Sequence, residues 1–422
     1  MLYECWQKIV GDRKNEIALR DLASGRSWTF ARLNEESEKS LPEKPATIYP
    51  QGNSPEFVMA VLRAWRENIV VCPLDSHQKQ PAVPPLPPCC HLKITPASSG
   101  APRTVAFKGD QLAADAENIV TTMGLRPEWP NLAVISMAYS YGFSNLVLPL
   151  LLHGIPLYLA PSPLPEVLRC ATKSADLTVA AVPALWHAWH KAGAILSNVK
   201  LAISAGAALP LTLERAVFAE QGVKIHNFYG TTECGGIAYD ATGTPRTEDA
   251  SVGRPLNNVS VEIDPVGALL VRSRAVGENY WPQPEPTLGG GIFKTCDLAE
   301  FRNGEIHLRG RTDDHINVAG RKVSPVLIEQ ALGEHEAVAE CVVFGVPSGR
   351  MDQMDSIVAC VATDKPVAKD ELKNFLLLKL PAWQVPRDWW LVDAIDSNGS
   401  GKPARTQWRR AYLENRAPKT AA

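Results

Sequence analysis

Four short stretches of this chain carry residue types suited to chemistry on a nucleotide. TPASSGAPR, residues 95–103, gathers Thr95, Ser98 and Ser99 around Gly100, directly after the short run HLKI. Such a loop lets backbone N–H groups and hydroxyls approach phosphate oxygens closely, although it lacks the GxxxxGK[ST] of a Walker A loop and the same composition serves a plain turn. FYGTTECGG, residues 228–236, follows the apolar run VKIHN and supplies Tyr229, the hydroxyls of Thr231 and Thr232, and a carboxylate at Glu233 between glycines. A hard cation such as Mg²⁺ takes one or two carboxylates together with phosphate oxygens, and this turn offers one; a strand-end turn is the simpler alternative. FKTCDLAEFRNGEIHLRGR places Asp297 and Arg311 around a hairpin turned at Asn303 and Gly304. A carboxylate there can accept both hydroxyls of a ribose, reinforced by the arginine. Finally, SNGSGKPAR, residues 397–405, sets Lys402 in a Gly/Ser-rich loop that by composition alone is a solvated turn.

These residues need a scaffold, and the patterning supplies one. SPEFVMAVLRAWRENIVVCPLD, residues 54–75, reads as an amphipathic helix followed by a short apolar strand. PAVPPLPP, residues 81–88, forbids regular structure and reads as a stiff connector. From there to about residue 310, apolar runs such as NLAVISM, VKLAISAG and VKIHNFYG recur between helical stretches such as LTLERAVFAEQ, which predicts parallel sheets covered by helices. After GRTDDHINVAGRKV the units shorten: VSPVLIEQALGEH and KDELKNFLLLKL as helices, AVAECVVFGVP and SIVACVATD as strands. The expectation is an α/β protein with a large multi-layer N-terminal domain, residues 1–312, and a small mobile α+β C-terminal domain, residues 313–422, joined near Thr312 to Asp314.

Composition narrows the partners. A formal net charge of −2 and a pI near 6.5 give none of the basic excess that marks nucleic-acid binding. The N-terminus has charges throughout and no apolar leader region, and no segment reaches about 18 uninterrupted apolar residues, so membrane insertion is not expected. Nine cysteines without any CxxC pair fit a reducing cytoplasm better than a disulfide framework or a zinc site.

Taken together and in order, the stretches resemble the class I adenylate-forming superfamily, which includes acyl-CoA and aryl-CoA ligases and the adenylation domains of peptide synthetases. The resemblance runs from about residue 54 to residue 405, and its most specific pieces are YGTTE, GRTDDHINVAGRKVSP and SGK. It implies that Thr95, Ser98, Ser99, Gly100 and Arg103 bind ATP phosphates, and that Tyr229, Gly230 and Thr231 line the adenine side. Thr232 would contact the α-phosphate, Glu233 would hold Mg²⁺, Asp297 would bind the ribose and Arg311 would stand beside it. Asp313 matches the hinge of the small domain, Gly320 the loop that lines a tunnel for the incoming thiol, and Lys402 the catalytic lysine that bridges carboxylate and α-phosphate during adenylation. Tyr139, Tyr141, Ala205, Gly206 and Gly235 approach the acyl pocket by position, a mix of aromatic and small residues that suits a flat aryl acid or a short to medium acyl chain.

The implied reaction is ATP-dependent activation of a small carboxylic acid to an acyl adenylate, then thioester formation on CoA or on the phosphopantetheine of a separate acyl carrier protein. The alternative is a non-catalytic relative that binds nucleotide or acyl adenylate as a sensor or scaffold. It is motivated by Ala97 where a glycine is common, Arg103 where a lysine is usual and the early start of the phosphate loop; further departures from the family pattern are Tyr139 near a frequent histidine, Cys296 before the ribose aspartate and Asn317 for a common lysine. The early start, at residue 95, implies a shortened first subdomain. Against the alternative, Thr232, Glu233, Asp297, Arg311 and Lys402 are all present.

Overall fold

A computed structural model of the chain describes residues 1–39, 45–75, 78, 80–81, 88–95, 103–311, 316–318, 321–347, 355–395 and 405–416. The apolar runs between residues 131 and 231 become the inner strands of a nine-stranded sheet. Its order is Arg254–Pro255, Gly235–Tyr239, Ile225–Thr231, Val199–Ser204, Leu177–Ala181, Asn131–Ala133, Leu157–Leu159, Ile17–Asp21, Ser27–Thr29. The strands from Ile225–Thr231 to Ile17–Asp21 run parallel, and those at either end are antiparallel. Leu177–Ala181 is buried at every position, the continuous apolar pattern of a parallel strand covered on both faces.

The first helix–strand unit is the amphipathic helix Pro55–Glu67, N-capped by Ser54 and closed by left-handed Asn68, followed by Val70–Val71. That strand enters a second sheet, ordered Asn279–Trp281, Thr104–Phe107, His91–Ile94, Val70–Val71, Thr47–Ile48. Residues 2–37, which the sequence pattern leaves unassigned, form two helices, Leu2–Arg13 and Phe30–Ser37, around the Ile17–Asp21 and Ser27–Thr29 pair. They bury Trp6, Trp28 and Phe30 in the main core.

The strands after residue 254 depart from the expected parallel arrangement. Ser260–Ile263, Ala268–Arg272, Ile292–Arg302 and Leu288–Gly289 form an antiparallel sheet, with Glu305–Arg311 folded back on Ile292–Arg302. The reason is local. Asn303 and Gly304 both adopt left-handed φ, 54° and 82°, in a two-residue turn between Arg302 and Glu305, and a turn that short joins only antiparallel neighbours.

Beyond residue 311 the chain builds a separate apolar cluster that includes Ile328, Leu332, Val343, Ile357, Leu372 and Leu376. Strands Val338–Pro347 and Asp355–Thr363 pair antiparallel, and Asp388–Val392 joins the second of them in parallel after the crossover helix Lys369–Leu377. Helix Arg405–Arg416 follows, and Tyr412 packs edge-on against Phe344. Among the described residues no helix is long and apolar enough to cross a membrane.

Candidate active site

The YGTTE stretch lies where strand Ile225–Thr231 turns back into Gly235–Tyr239, with Thr231 opposite Gly235. Two glycines make the reversal possible. A Cβ on Gly230 would stand 2.5 Å from the Gly235 carbonyl oxygen, and Gly235 has φ +68° with its Cβ direction blocked 2.0 Å away by Oδ1 of Asp115. That same Oδ1 accepts the Gly236 N–H at 3.1 Å. Oδ2 of Asp115 accepts the Ser144 hydroxyl at 2.5 Å, Ser144 accepts from Lys93 Nζ at 3.1 Å, and Lys93 lies 3.6 Å from the carboxylate. Lys93 and Asp115 are both buried, and burial pushes the Lys93 ammonium down in pKa against the opposing pull of Asp115. The turn therefore rests on a satisfied internal ion pair, and Thr231 completes it locally with its hydroxyl 3.3 Å from Cys234 Sγ.

Glu233, 8 % exposed, accepts the Tyr280 hydroxyl at 2.9 Å through Oε1. The Tyr280 oxygen in turn accepts from Arg103 Nη2 at 3.0 Å, and the Arg103 guanidinium stacks on the Tyr280 ring with Cζ 3.9 Å from its centroid. Nη1 of Arg103 forks onto both oxygens of Glu285, at 3.0 and 2.9 Å. The cause is strand pairing. Arg103 immediately precedes Thr104–Phe107, which runs antiparallel to Asn279–Trp281 with Val105 opposite Tyr280. Thr95 closes the base of the preceding loop: its N–H donates to the Arg103 carbonyl at 2.8 Å and its hydroxyl accepts the Arg103 N–H at 3.0 Å.

Asp297 and Arg311 face each other in register across the hairpin, with Nη1 and Oδ1 3.2 Å apart. The other carboxylate oxygen accepts the Tyr229 hydroxyl, and burial, then the Asp297 charge, push that phenol well above its ordinary pKa. One carboxylate is thus held by donors from two different sheets.

The oxygen donors here fit magnesium of the kind that binds with a nucleotide. Among the described residues no group of three or more His, Cys, Asp or Glu could cage a metal by itself. A single carboxylate beside hydroxyls, completed by phosphate oxygens, is how Mg²⁺ is ordinarily held.

The profile of the family described as AMP-binding enzyme matches residues 95–281, and that of the AMP-binding enzyme C-terminal domain matches residues 327–402. The chain belongs to the AMP-binding, adenylate-forming enzymes. It is 26% identical to a feruloyl-CoA synthase of Amycolatopsis over 363 residues, which covers 80% of this chain and 73% of that protein. It is 27% identical to an anthranilate–CoA ligase of Pseudomonas aeruginosa over 433 aligned residues, 95% of this chain and 81% of that one. Among solved structures, ATP-bound MatB from Rhodopseudomonas palustris superposes with a TM-score of 0.86 at 18% identity, covering 98% of this chain and 100% of that chain.

Within this adenylate-forming fold, the acyl-pocket candidates sit at the carboxyl ends of the parallel strands. The Tyr141 hydroxyl lies 3.4 Å from the Ala181 carbonyl and 3.3 Å from that of Ile203, so it bridges two strand ends. Its ring lies 6.0 Å from that of Phe228, just before the YGTTE turn. Ala205 is buried, Gly206 is left-handed at φ 89°, and Tyr139 is partly buried with its phenol pKa raised by burial and then by Asp75. Tyr229, Thr231, Glu233, Asp297, Arg311 and Arg103 are therefore placed with their contacts, and Gly230 and Thr232 lie on the same turn. Ser98, Ser99, Gly100, Asp313, Gly320 and Lys402 lie outside the described residues. Just after Lys402, Arg405 anchors the last helix, donating to the Val343 carbonyl at 2.8 Å and to both oxygens of Glu329 at 2.8 and 2.9 Å. Sequence reading passed over Lys93, Asp115, Tyr280 and Glu285. Their only signal is a charged or phenolic side chain inside an apolar strand or helix pattern, which ordinary surface and core positions share.

Proposed function

We propose that this protein activates a carboxylic acid with ATP and transfers the acyl group to the thiol of CoA. The observation that carries the reading is a pair of hydrogen-bonded constellations at the two ends of the YGTTE stretch: Asp297 held by Tyr229 and Arg311, and Glu233 joined through Tyr280 to Arg103. In the first half-reaction a substrate carboxylate oxygen bonds to the α-phosphorus of ATP and the bond to pyrophosphate breaks. In the second, a thiol sulfur attacks the acyl carbonyl carbon, its proton leaves to solvent, and AMP departs. Asp297 orients the ribose, Thr232 and Arg103 donate to phosphate oxygens, and Lys402 neutralises charge developing between carboxylate and α-phosphate, where a preorganised cation counts for more than in bulk water. Glu233 would hold Mg²⁺, which when bound would supply Lewis-acid neutralisation of the triphosphate.

The non-catalytic alternative gains no support, because the carboxylates and arginines of the nucleotide side are present and paired in one place. Two relatives are named for aryl acids, ferulate and anthranilate. Tyr141 bridging two strand ends beside Ala205 and Gly206 gives a wall of the kind that suits a flat acid or a short chain. CoA is the favoured acceptor because those relatives act with it, and a carrier-protein phosphopantetheine is tested beside it. Acid-dependent exchange of labelled pyrophosphate into ATP, run over a panel of aryl and short acyl acids, tests the first step. Lys402→Ala should slow exchange by roughly two to three orders of magnitude, the cost of removing one preorganised charge-stabilising donor, while transfer from pre-made acyl adenylate to thiol continues. Exchange without any dependence on acid, or full exchange in Lys402→Ala, would overturn the reading.

A further inference from the structure

Tyr280 belongs to none of the motifs that identify the site, yet its hydroxyl is the atom shared by the two charged groups that meet the phosphates. It donates to Oε1 of Glu233 at 2.9 Å and accepts from Nη2 of Arg103 at 3.0 Å, while Arg103 and Glu233 are themselves 3.9 Å apart. Oε2 of Glu233 has no partner among the described residues. One carboxylate oxygen is thus fixed and the other is left for a ligand. A phenol is suited to this, since one oxygen both donates and accepts.

The backbone around Tyr280 is fixed with the turn. The Gly277 N–H donates to the Glu233 carbonyl at 2.8 Å, and a Cβ on Gly277 would come within 2.6 Å of Val105, so the segment cannot slide along its neighbour. Strand pairing then sets Tyr280 opposite Val105 and brings Arg103 over the ring. Tyr280 is 3 % exposed, and its hydroxyl is enclosed between the Glu233 carboxylate and the Arg103 guanidinium.

We infer that Tyr280 is a positioning residue for the metal–nucleotide complex: its hydroxyl aims the Glu233 carboxylate so that Oε2 is presented to the cation, and it keeps Arg103 beside that carboxylate for the same phosphates. This rests on Glu233 as the cation ligand. It assigns to one tyrosine the coupling between the phosphate loop and the metal carboxylate, two parts of the site that come from different sheets.

The test is a double-mutant cycle on the full chain, read by binding. Mn²⁺ in place of Mg²⁺ gives an electron paramagnetic resonance signal that reports Mn·ATP affinity without turnover. Tyr280→Phe keeps the ring, its packing and the arginine stack, and removes only the shared oxygen. It should weaken Mn·ATP binding roughly tenfold and metal-free ATP by no more than about threefold, because a hydrogen bond to a charged group is lost at the carboxylate. Added to Glu233→Gln, it should have almost no further effect, since a residue acting through Glu233 has nothing left to aim. Unchanged Mn·ATP affinity in Tyr280→Phe overturns the proposal, as does full additivity with Glu233→Gln or an equal loss for metal-free ATP. Should the cycle come out as expected while no acid supports pyrophosphate exchange, the positioning role stands and the acid-activating reading falls. Should exchange proceed while Tyr280→Phe binds Mn·ATP normally, the reverse holds.

Discussion

Asp297 shows how much of an active site a single residue pair can reveal before any ligand is considered. Its carboxylate is held by Arg311 at 3.2 Å and by the Tyr229 hydroxyl, so it is oriented in advance, and on the proposed reading its remaining lone pairs would take two ribose hydroxyls. Asp297→Ala should raise the KM for ATP at least tenfold and leave the KM for the acid unchanged, since hydrogen bonds to a charged group are each worth about 1.5 to 3 kcal/mol. Steady-state kinetics with each substrate varied in turn checks this, and a shift confined to the acid would remove Asp297 from the nucleotide site. The pairing of Asp297 with Arg311 was legible because a two-residue turn at Asn303 and Gly304 fixes the register of the hairpin. Tyr280 was not legible, because its partners Glu233 and Arg103 are 47 and 177 residues away and only strand pairing brings them together.

At the scale of elements, the turn from Thr231 to Gly235 depends on a helix that no motif marks. Asp115, in helix Gly109–Met123, accepts the Gly236 N–H and fills the space that a side chain at residue 235 would need. Gly235→Ala must both adopt a left-handed backbone and displace a buried carboxylate tied to Lys93, so it should cost at least about 1 to 3 kcal/mol and move Glu233. A lowered melting temperature together with a raised Mg²⁺ requirement is the expected outcome, and a variant with wild-type melting and kinetics would mean the turn is not held from below. Sequence reading caught the turn itself, because glycines and hydroxyls at a strand end are a local signal. It missed the support, because an aspartate and a lysine buried as a pair look, one at a time, like ordinary polar positions.

Across the whole molecule, one of the contacts between the C-terminal unit and the large sheet is small and polar. Asp364, just past strand Asp355–Thr363, accepts from Lys191 Nζ at 2.7 Å and lies 3.5 Å from His187 Nε2, both on helix Pro183–Lys191 of the nucleotide-binding part. Exposed pairs of this kind contribute little stability, which would suit a contact that breaks if the C-terminal unit turns between half-reactions as the family resemblance implies. The Lys191 hydrogen bond holds the Asp364 carboxyl below its usual range against a small opposing effect of burial. A depressed carboxylate stabilises the contact fully above its ordinary pKa and loses it only as pH falls through the lower, folded value. The pair itself should therefore persist at neutral and weakly acidic pH, and the carboxyl-carbon NMR shift of Asp364 should register its loss only at lower pH. Asp364→Asn should abolish that pH response and change the ratio of the two half-reaction rates by no more than about fivefold, with folding unaffected. The α/β class and the small α+β unit were legible from periodicity. Apart from its Asn303–Gly304 hairpin, the antiparallel sheet after residue 254 was not, nor were the elements of residues 2–37, because short amphipathic strands carry little periodic signal.

The forked contact between Arg103 and Glu285 also bears on which form of the nucleotide the protein accepts. Arg103 and Arg311 each already carry a carboxylate counterion, Glu285 and Asp297. An arriving polyphosphate must compete with Glu285 for the same guanidinium, so the gain is the difference between two anions and not the full attraction of one cation. A bare triphosphate exchanges one negative partner for a more crowded one, whereas a triphosphate that brings a divalent ion carries its own charge compensation and asks less of the protein. Simple inorganic anions, with no metal and no ribose to offer Asp297, would meet arginines at 103 and 311 that already carry carboxylate partners. If Arg103 and Arg311 meet the nucleotide as proposed, the resting site would select by charge stoichiometry before any shape is read.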